Sequence, residues 1–355
     1  MEAYTDFAEV YDELMDDTPY EAWCAFLMGL FRRYGVDDVS KTEKDTNNDM
    51  SVIKKIQEGT TDAGRMTEMA ENSAEADLGV TEENLAQERN TILDLGCGTG
   101  TLTELLAREG YDMIGVDSAE EMLRIAMEKR ERSGLDILYL LQDMRELELY
   151  GTVGAAVSIC DSLNYLLEEE DIRQTFARVN NYLYPRGIFV FDFNTVYKYA
   201  VVIGDATIAE NREDCSFIWE NYYHEEEEIN EYDLTVFVAE GRSVSGADGA
   251  AVRAEETDSR KTVQGNVGEA GRESVCEEAP NMRFWRFQEV HYQRGYRLEQ
   301  MKAFLLQAGL EFLEAMDADT RGDVTEESER IYVVARKGEK TTANQQVMPE
   351  TTGVS

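Results

Sequence analysis

Histidine is almost missing from this chain: His224 and His291 are the only two in 355 residues. Cysteine is sparse, odd in number and scattered, at Cys24, Cys97, Cys160, Cys215 and Cys276, with no CxxC pair. These shortages argue against a disulfide framework and a Cys/His zinc site, so no metal is expected and a reducing, cytoplasmic setting fits. Basic residues are outnumbered. The 34 Lys and Arg face 73 Asp and Glu, a formal charge of −39, and no Lys/Arg run is present. Such a field repels phosphate backbones and anionic lipid, so neither nucleic acid nor a membrane surface is an expected partner. No apolar stretch reaches the roughly 18 residues that a bilayer requires. The acidic, amphipathic start MEAYTDFAEVYDELMDD lacks the basic head and apolar centre of a signal peptide.

Aromatic residues are missing from three stretches, 41–90, 241–282 and 338–355, which are rich in Glu, Asp, Ser, Thr, Asn, Gly and Ala. Such segments bury too little apolar area to offset the entropy of ordering, so they are expected to be loosely ordered insertions and a tail. They carry only about 10 of the 39 net negative charges, so the acidity belongs to the remainder. That remainder suits one domain with a cap. The expected division is a helical lid over 1–40, an insertion over 41–90, a core over 91–214, a β-rich cap over 215–296 that holds the insertion 241–282, the end of the core over 297–337, and the tail.

From residue 91 apolar runs bounded by turn residues alternate with amphipathic stretches, the pattern of a parallel α/β sheet. TILDLG (91–96), MIGVD (113–117), ILYLLQD (137–143), AAVSIC (155–160) and IFVFDFN (188–194) read as strands. Helices are expected over 102–110, over 119–131 with Ser118 as cap, and over about 170–183. After 194 the rhythm changes. Segments 217–225, 231–240 and 283–296 read as antiparallel strands, followed by a helix over 298–309 and strands at 310–317 and 330–337, the last antiparallel.

The turn after the first strand reads Asp94-Leu95-Gly96-Cys97-Gly98-Thr99-Gly100. Glycines there permit positive φ and close backbone approach to a ligand, and the next helix offers free N–H groups. A dinucleotide fingerprint would need glycine at position 101, which is Thr, and no GK[ST] follows to make a Walker loop. The pattern (D/E)xGxGxG resembles motif I of the class I S-adenosylmethionine-dependent methyltransferases. The start Tyr4-Thr5-Asp6-Phe7-Ala8-Glu9-Val10-Tyr11-Asp12, with Pro19-Tyr20 and Trp23 in register, and Asp161-Ser162-Leu163-Asn164-Tyr165 further resemble a group of bacterial Firmicute-type methyltransferases. The resemblance covers 1–38, 91–240 and 283–337 and leaves out the aromatic-free stretches.

That resemblance implies a Rossmann-like α/β sheet with an N-terminal helical lid and an antiparallel β insertion after strand five. It implies S-adenosyl-L-methionine as cofactor and transfer of its methyl group by direct displacement to a small-molecule acceptor. It places the cofactor among Asp94, Gly96, Cys97, Gly98 and Gly100, with Ser118 and Met122 beyond the second strand. Asp117 would take the ribose hydroxyls, Asp143 and the Met144 N–H the adenine, and Tyr11 the methionine carboxylate. Asp161 and Asn164 would bind the methionine part or orient the acceptor, with Tyr20 nearby. On the alternating strand 287–293, Glu289, His291 and Gln293 share a face. His291 reads either as a general base or as a structural residue, and Arg294 either as a partner of Glu289 or as an anchor for a substrate carboxylate. A monomer or homodimer is expected. An RNA or protein acceptor, and a non-catalytic module that only binds the cofactor, remain open alternatives.

Overall fold

The computed structural model describes residues 7–36, 89–212, 215–239 and 283–338. The readings of 41–88, 241–282 and 339–355 as loosely ordered lie outside these residues, as do Tyr4, Thr5, Asp6 and Cys276. The chain opens with helices α1 (Ala8–Leu14) and α2 (Tyr20–Tyr34). Pro19 separates them, because the residue before a proline is pushed out of helical geometry.

Strands and helices then alternate: β1 (Thr91–Leu95), α3 (Thr101–Arg108), β2 (Asp112–Asp117), α4 (Glu120–Ser133), β3 (Ile137–Leu141), β4 (Val153–Ser158), α5 (Glu169–Tyr182) and β5 (Leu183–Asn194). A short 3₁₀ turn, Ser162–Tyr165, follows β4. Next come β6 (Thr207–Asn211), β7 (Cys215–His224), β8 (Ile229–Ala239) and β9 (Phe284–Arg294), and finally α6 (Leu298–Gln307), β10 (Leu310–Asp317) and β11 (Arg330–Lys337).

Seven strands form one sheet in the order β10-β11-β5-β4-β1-β2-β3. β1 to β5 pair in parallel, while β11 runs against both β5 and β10. The central strands β1, β4 and β5 are covered on both faces, which explains their unbroken apolar runs, while the edge strand β3 leaves Leu138 and Leu141 exposed. Phe189, Phe191 and Phe193 of β5 pack against Ile172, Phe176 and Val179 of α5 and Met301, Phe304 and Leu305 of α6. The intervening Ile188 and Val190 face the opposite layer, where α2 contributes Trp23, Leu27 and Phe31, α3 Leu102 and Leu106, and α4 Leu123 and Ala126.

The second sheet, β6-β7-β8-β9, is antiparallel throughout. Its inner face, with Leu234, Val236, Val238 and Phe287, packs against Val10 of α1. It begins at Thr207, before the expected boundary at 215. β6 is exposed at every position, so TIAEN leaves no burial pattern to read. One cap assignment is corrected: the N-cap of α4 is Ala119 rather than Ser118, and the Asp117 carboxylate accepts the Ala119 N–H at 2.9 Å. Among the described residues no helix is long and apolar enough to cross a membrane.

Phe191 is fully buried and joins the sheet to α5 through its ring contact with Phe176. Phe191→Ala should cost about 3–5 kcal/mol in urea unfolding; a cost below about 1 kcal/mol would show that this layer does not carry the fold.

Candidate functional site

At the carboxyl ends of β1 to β4 the helices leave a cavity of about 920 Å³. Ligand crevices in open α/β sheets form at such strand ends. The loop residues Gly96, Cys97, Gly98 and Thr99 make one wall. The first two N–H groups, on Gly96 and Cys97, both donate to the Val116 carbonyl, at 2.8 and 3.0 Å, which folds the loop over the end of β2. A Cβ on Gly96 would stand 2.6 Å from Ser162, so only glycine lets the 3₁₀ turn come this close. Gly98 has φ +55 and nothing within 4 Å of where its Cβ would be, so the loop leaves open space there.

The Asp117 carboxylate is tied on both oxygens, to the Gly98 N–H at 2.8 Å and to the Ala119 N–H at 2.9 Å. Burial raises its pKa, and these N–H donors hold the rise back. Asp94, beneath the loop, accepts from the Thr103 hydroxyl at 2.6 Å. Burial pushes its carboxyl up to about 6 against that hydrogen bond. Asp143 is gripped by Arg145, whose Nη2 lies 2.6 Å from Oδ2 and whose N–H meets Oδ1 at 2.8 Å. Arg145 holds the Asp143 carboxyl below its ordinary value and pairs with Asp171 at 3.1 Å as well. The two cysteines at the cavity are kept as thiols: burial raises Cys97 far above its ordinary value and pushes Cys160 up to about 12.

The lid closes over this wall. Asp12 of α1 accepts from the Thr99 hydroxyl at 2.6 Å and pairs with Lys129 of α4 at 2.5 Å. Glu9 pairs with Arg124 of α4. On the other side the Phe7 N–H donates to Glu289 of β9 at 3.0 Å. α1 thus bridges the glycine loop, α4 and the second sheet. Tyr11 and Tyr20 face the cavity from the two lid helices, and Trp23 stands edge-on to Tyr20.

Of the residues singled out from sequence, Tyr11, Tyr20, Asp94, Gly96, Cys97, Gly98, Asp117, Ser118, Met122, Asp143 and Met144 line the cavity together. Five do not. Gly100 packs under Tyr139, whose hydroxyl would sit 2.3 Å from an added Cβ. Asp161 turns away, accepting from Arg330 at 2.6 Å and Gln293 at 2.7 Å. It and Cys160 take positive φ, 53 and 71, and their N–H groups donate to Asp192. Asn164 is fully buried, and its amide binds the backbone of Asn194 at both ends and the Arg294 carbonyl at 2.6 Å. Arg294 donates to the Leu167 carbonyl, while Glu289 is engaged by Phe7 and His291. His291 is 2% exposed and lies one layer behind the wall, its Nδ1 3.1 Å from the Tyr165 hydroxyl.

Tyr165, Ser162, Arg145 and Trp23 line the cavity without having been assigned a role. The signal for Tyr165 was the 3₁₀ turn: three residues per turn puts 162 and 165 on one side and leaves Leu163 and Asn164 on the buried one.

The stretch 92–187 matches a family described as a methyltransferase domain. A protein of Geobacillus sp. (strain WCH70) named as a methyltransferase is 30% identical over 334 residues, covering 94% of this chain and 99% of its own. The chain belongs to the class I methyltransferases. A crystal structure of an S-adenosylmethionine-dependent methyltransferase from Clostridium acetobutylicum shares its fold, with a TM-score of 0.62 at 22% identity, covering 95% of this chain and 100% of the other. Over a shorter span, an N,N-dimethyltransferase of Streptomyces venezuelae named for dTDP-3-amino-3,4,6-trideoxy-alpha-D-glucopyranose is 32% identical over 105 residues, 30% of this chain and 43% of its own. The methyltransferase takes S-adenosylmethionine as its cofactor. The cavity suits that molecule: it is roomy, it has a glycine loop open to a ligand, and it carries carboxylates at the ends of two adjacent strands.

The raised Asp94 carboxyl makes a stability prediction for the methyltransferase. Unfolded, Asp94 titrates near about 3.9. Folding therefore takes up a proton between about pH 4 and pH 6, and this group's contribution to stability falls as pH rises through that window. Asp94→Asn keeps an oxygen for Thr103. Relative to the parent it should gain about 2 kcal/mol between about pH 4 and pH 7 in urea unfolding. An equal difference at both pH values would contradict the burial argument.

Proposed function

We propose that this methyltransferase moves a methyl group from S-adenosylmethionine to a small-molecule acceptor by direct displacement inside the covered cavity. The observation that carries this reading is the lid: α1 is fastened at once to the loop, to α4 and to β9, so an acceptor must fit beneath it. The net charge of −39 also disfavours a polyanionic acceptor. The amino-sugar acceptor in the name of the Streptomyces venezuelae relative is a small molecule of this kind.

When bound, the cofactor supplies an electrophilic methyl on a positively charged sulfur. In this reading Asp117 takes the ribose hydroxyls with the lone pairs left after Gly98 and Ala119, and Met144 and Asp143 flank the adenine. Arg145 holds the Asp143 carboxylate in place. Tyr11 and Tyr20 close the methionine end and exclude water. Displacement requires alignment rather than a covalent intermediate, and the protonated state of the Cys97 and Cys160 thiols favours that route.

Titration calorimetry should show binding of S-adenosylmethionine and S-adenosylhomocysteine to the parent. Asp117→Ala should weaken both by about tenfold to a hundredfold, the worth of a charge-assisted hydrogen-bond pair. Unchanged affinity would remove the ribose assignment. Tritiated methyl should appear in the low-mass fraction of a cell extract; label confined to protein or RNA would overturn the small-molecule reading.

A further inference from the structure

Next to the cavity, where β4 and β5 end and β11 begins, lies a group of charges that the proposed transfer does not use. Arg330 of β11 pairs with Asp161 at 2.6 Å and with Asp192 of β5 at 3.5 Å. The other oxygen of Asp161 accepts from Gln293 of β9 at 2.7 Å. The Tyr199 hydroxyl donates to Gln293 at 2.7 Å and accepts from Asn194 at 2.9 Å. These groups satisfy one another, as buried polar groups must.

Lys198 is the exception. It is half-buried and opens a π-helical turn, Lys198–Ile203, just past the end of β5. Such turns are rare and gather at functional sites. Lys198 Nζ donates to Asn194 Oδ1 at 3.0 Å, the same oxygen that receives Arg330 Nε at 3.1 Å. Two cations thus converge on one neutral amide oxygen. Arg330 has its carboxylates; Lys198 has none at ion-pair distance among the described residues. An ammonium has several donors, and this one uses a single donor. Burial lowers the Lys198 pKa and Arg330 lowers it further, against the more distant Asp161, Glu329 and Asp192. A cation withdrawn from water without a counter-ion is costly, so its place calls for a reason. Its charge also reaches the cavity wall. Burial and Asp161 raise the thiol of Cys160, which lines the cavity, while Arg330 and Lys198 draw it back.

We propose that Lys198 anchors an anionic group of the methyl acceptor, a carboxylate or phosphate set apart from the atom that takes the methyl group. The inference rests on the transfer proposed above. In that reading the adenosine lies on the ends of β1 to β3, so the reacting methyl faces the end of β4. An acceptor that meets it there extends past Cys160 toward the end of β5. The spare donors of Lys198 then receive the acceptor's anion, the counter-ion that the fold itself omits. Arg330 is already engaged by Asp161 and Asp192, so the anion falls to Lys198. A cationic group at this point would face two positive charges. Lys198 grips a group that does not change during the transfer, so it lowers KM and leaves kcat alone.

The label of the tritium assay tests this without any variant. Carboxylates ionise near about pH 4. A labelled low-mass product with a carboxylate should therefore shift toward the anode between about pH 2 and pH 5 in electrophoresis. One with a phosphate should lose negative charge after phosphodiesterase and phosphatase. Either result supports the proposal and names the source of the anion; a product that shows neither would overturn it. Lys198→Met should raise the amount of extract needed for half-maximal transfer at least about tenfold, the worth of one charge-assisted hydrogen bond. Its maximal rate should stay within about threefold and its S-adenosylhomocysteine affinity within about twofold, and Lys198→Arg should restore most of the loss. An unchanged half-saturation, or a loss of cofactor affinity in Lys198→Met, would reduce the lysine to a structural part. Failure of the parent to bind S-adenosylhomocysteine, or label confined to protein or RNA, would instead defeat the transfer reading itself and the inference with it.

Discussion

The hydrogen bond from the Gly98 N–H to the Asp117 carboxylate is the contact on which the rest of the site depends. It closes the glycine loop onto the end of β2. The same carboxylate receives the N–H of Ala119, the N-cap of α4, so one side chain sets both the loop and the start of the helix behind it. Helix α4 then carries Arg124 and Lys129, which hold the lid together with Arg212. The loop in turn offers Thr99 to Asp12. Parallel-sheet packing supplies the platform, since strands covered on both faces leave only their carboxyl ends open to a ligand.

Three layers meet at this opening. The core sheet presents the loop and the acidic strand ends. The lid brings Tyr11, Tyr20 and Trp23. Among the described residues the second sheet contributes none to the cavity wall, but it backs that wall through Tyr232, His291 and Glu289, and it anchors the lid at Phe7. The 3₁₀ turn after β4 links all three: Ser162 packs on Gly96, Asn164 stitches β5 to β9, and Tyr165 joins the cavity to the buried cluster.

The parallel core was legible because burial on both faces writes continuous apolar runs, and the loop was legible because Gly96 and Gly98 stand where only glycine suits. The Asp117 position followed from strand-end logic. What escaped was direction. Asp161, Asn164 and His291 were noticed, yet their side chains point into protein: Arg330, 169 residues away, claims Asp161, and the Asn194 and Arg294 backbones claim Asn164. Such partners lie far along the chain and leave no local mark. β6 was missed for the opposite reason, as a fully exposed strand carries no pattern.

The most direct measurement is a crystal structure with S-adenosylhomocysteine bound. The account places the ribose diol on Asp117, the adenine between Asp143 and Met144, and the sulfur facing the wall that holds Cys160, beneath α1. A ligand lying elsewhere, or one whose sulfur turns away from Cys160, would contradict it.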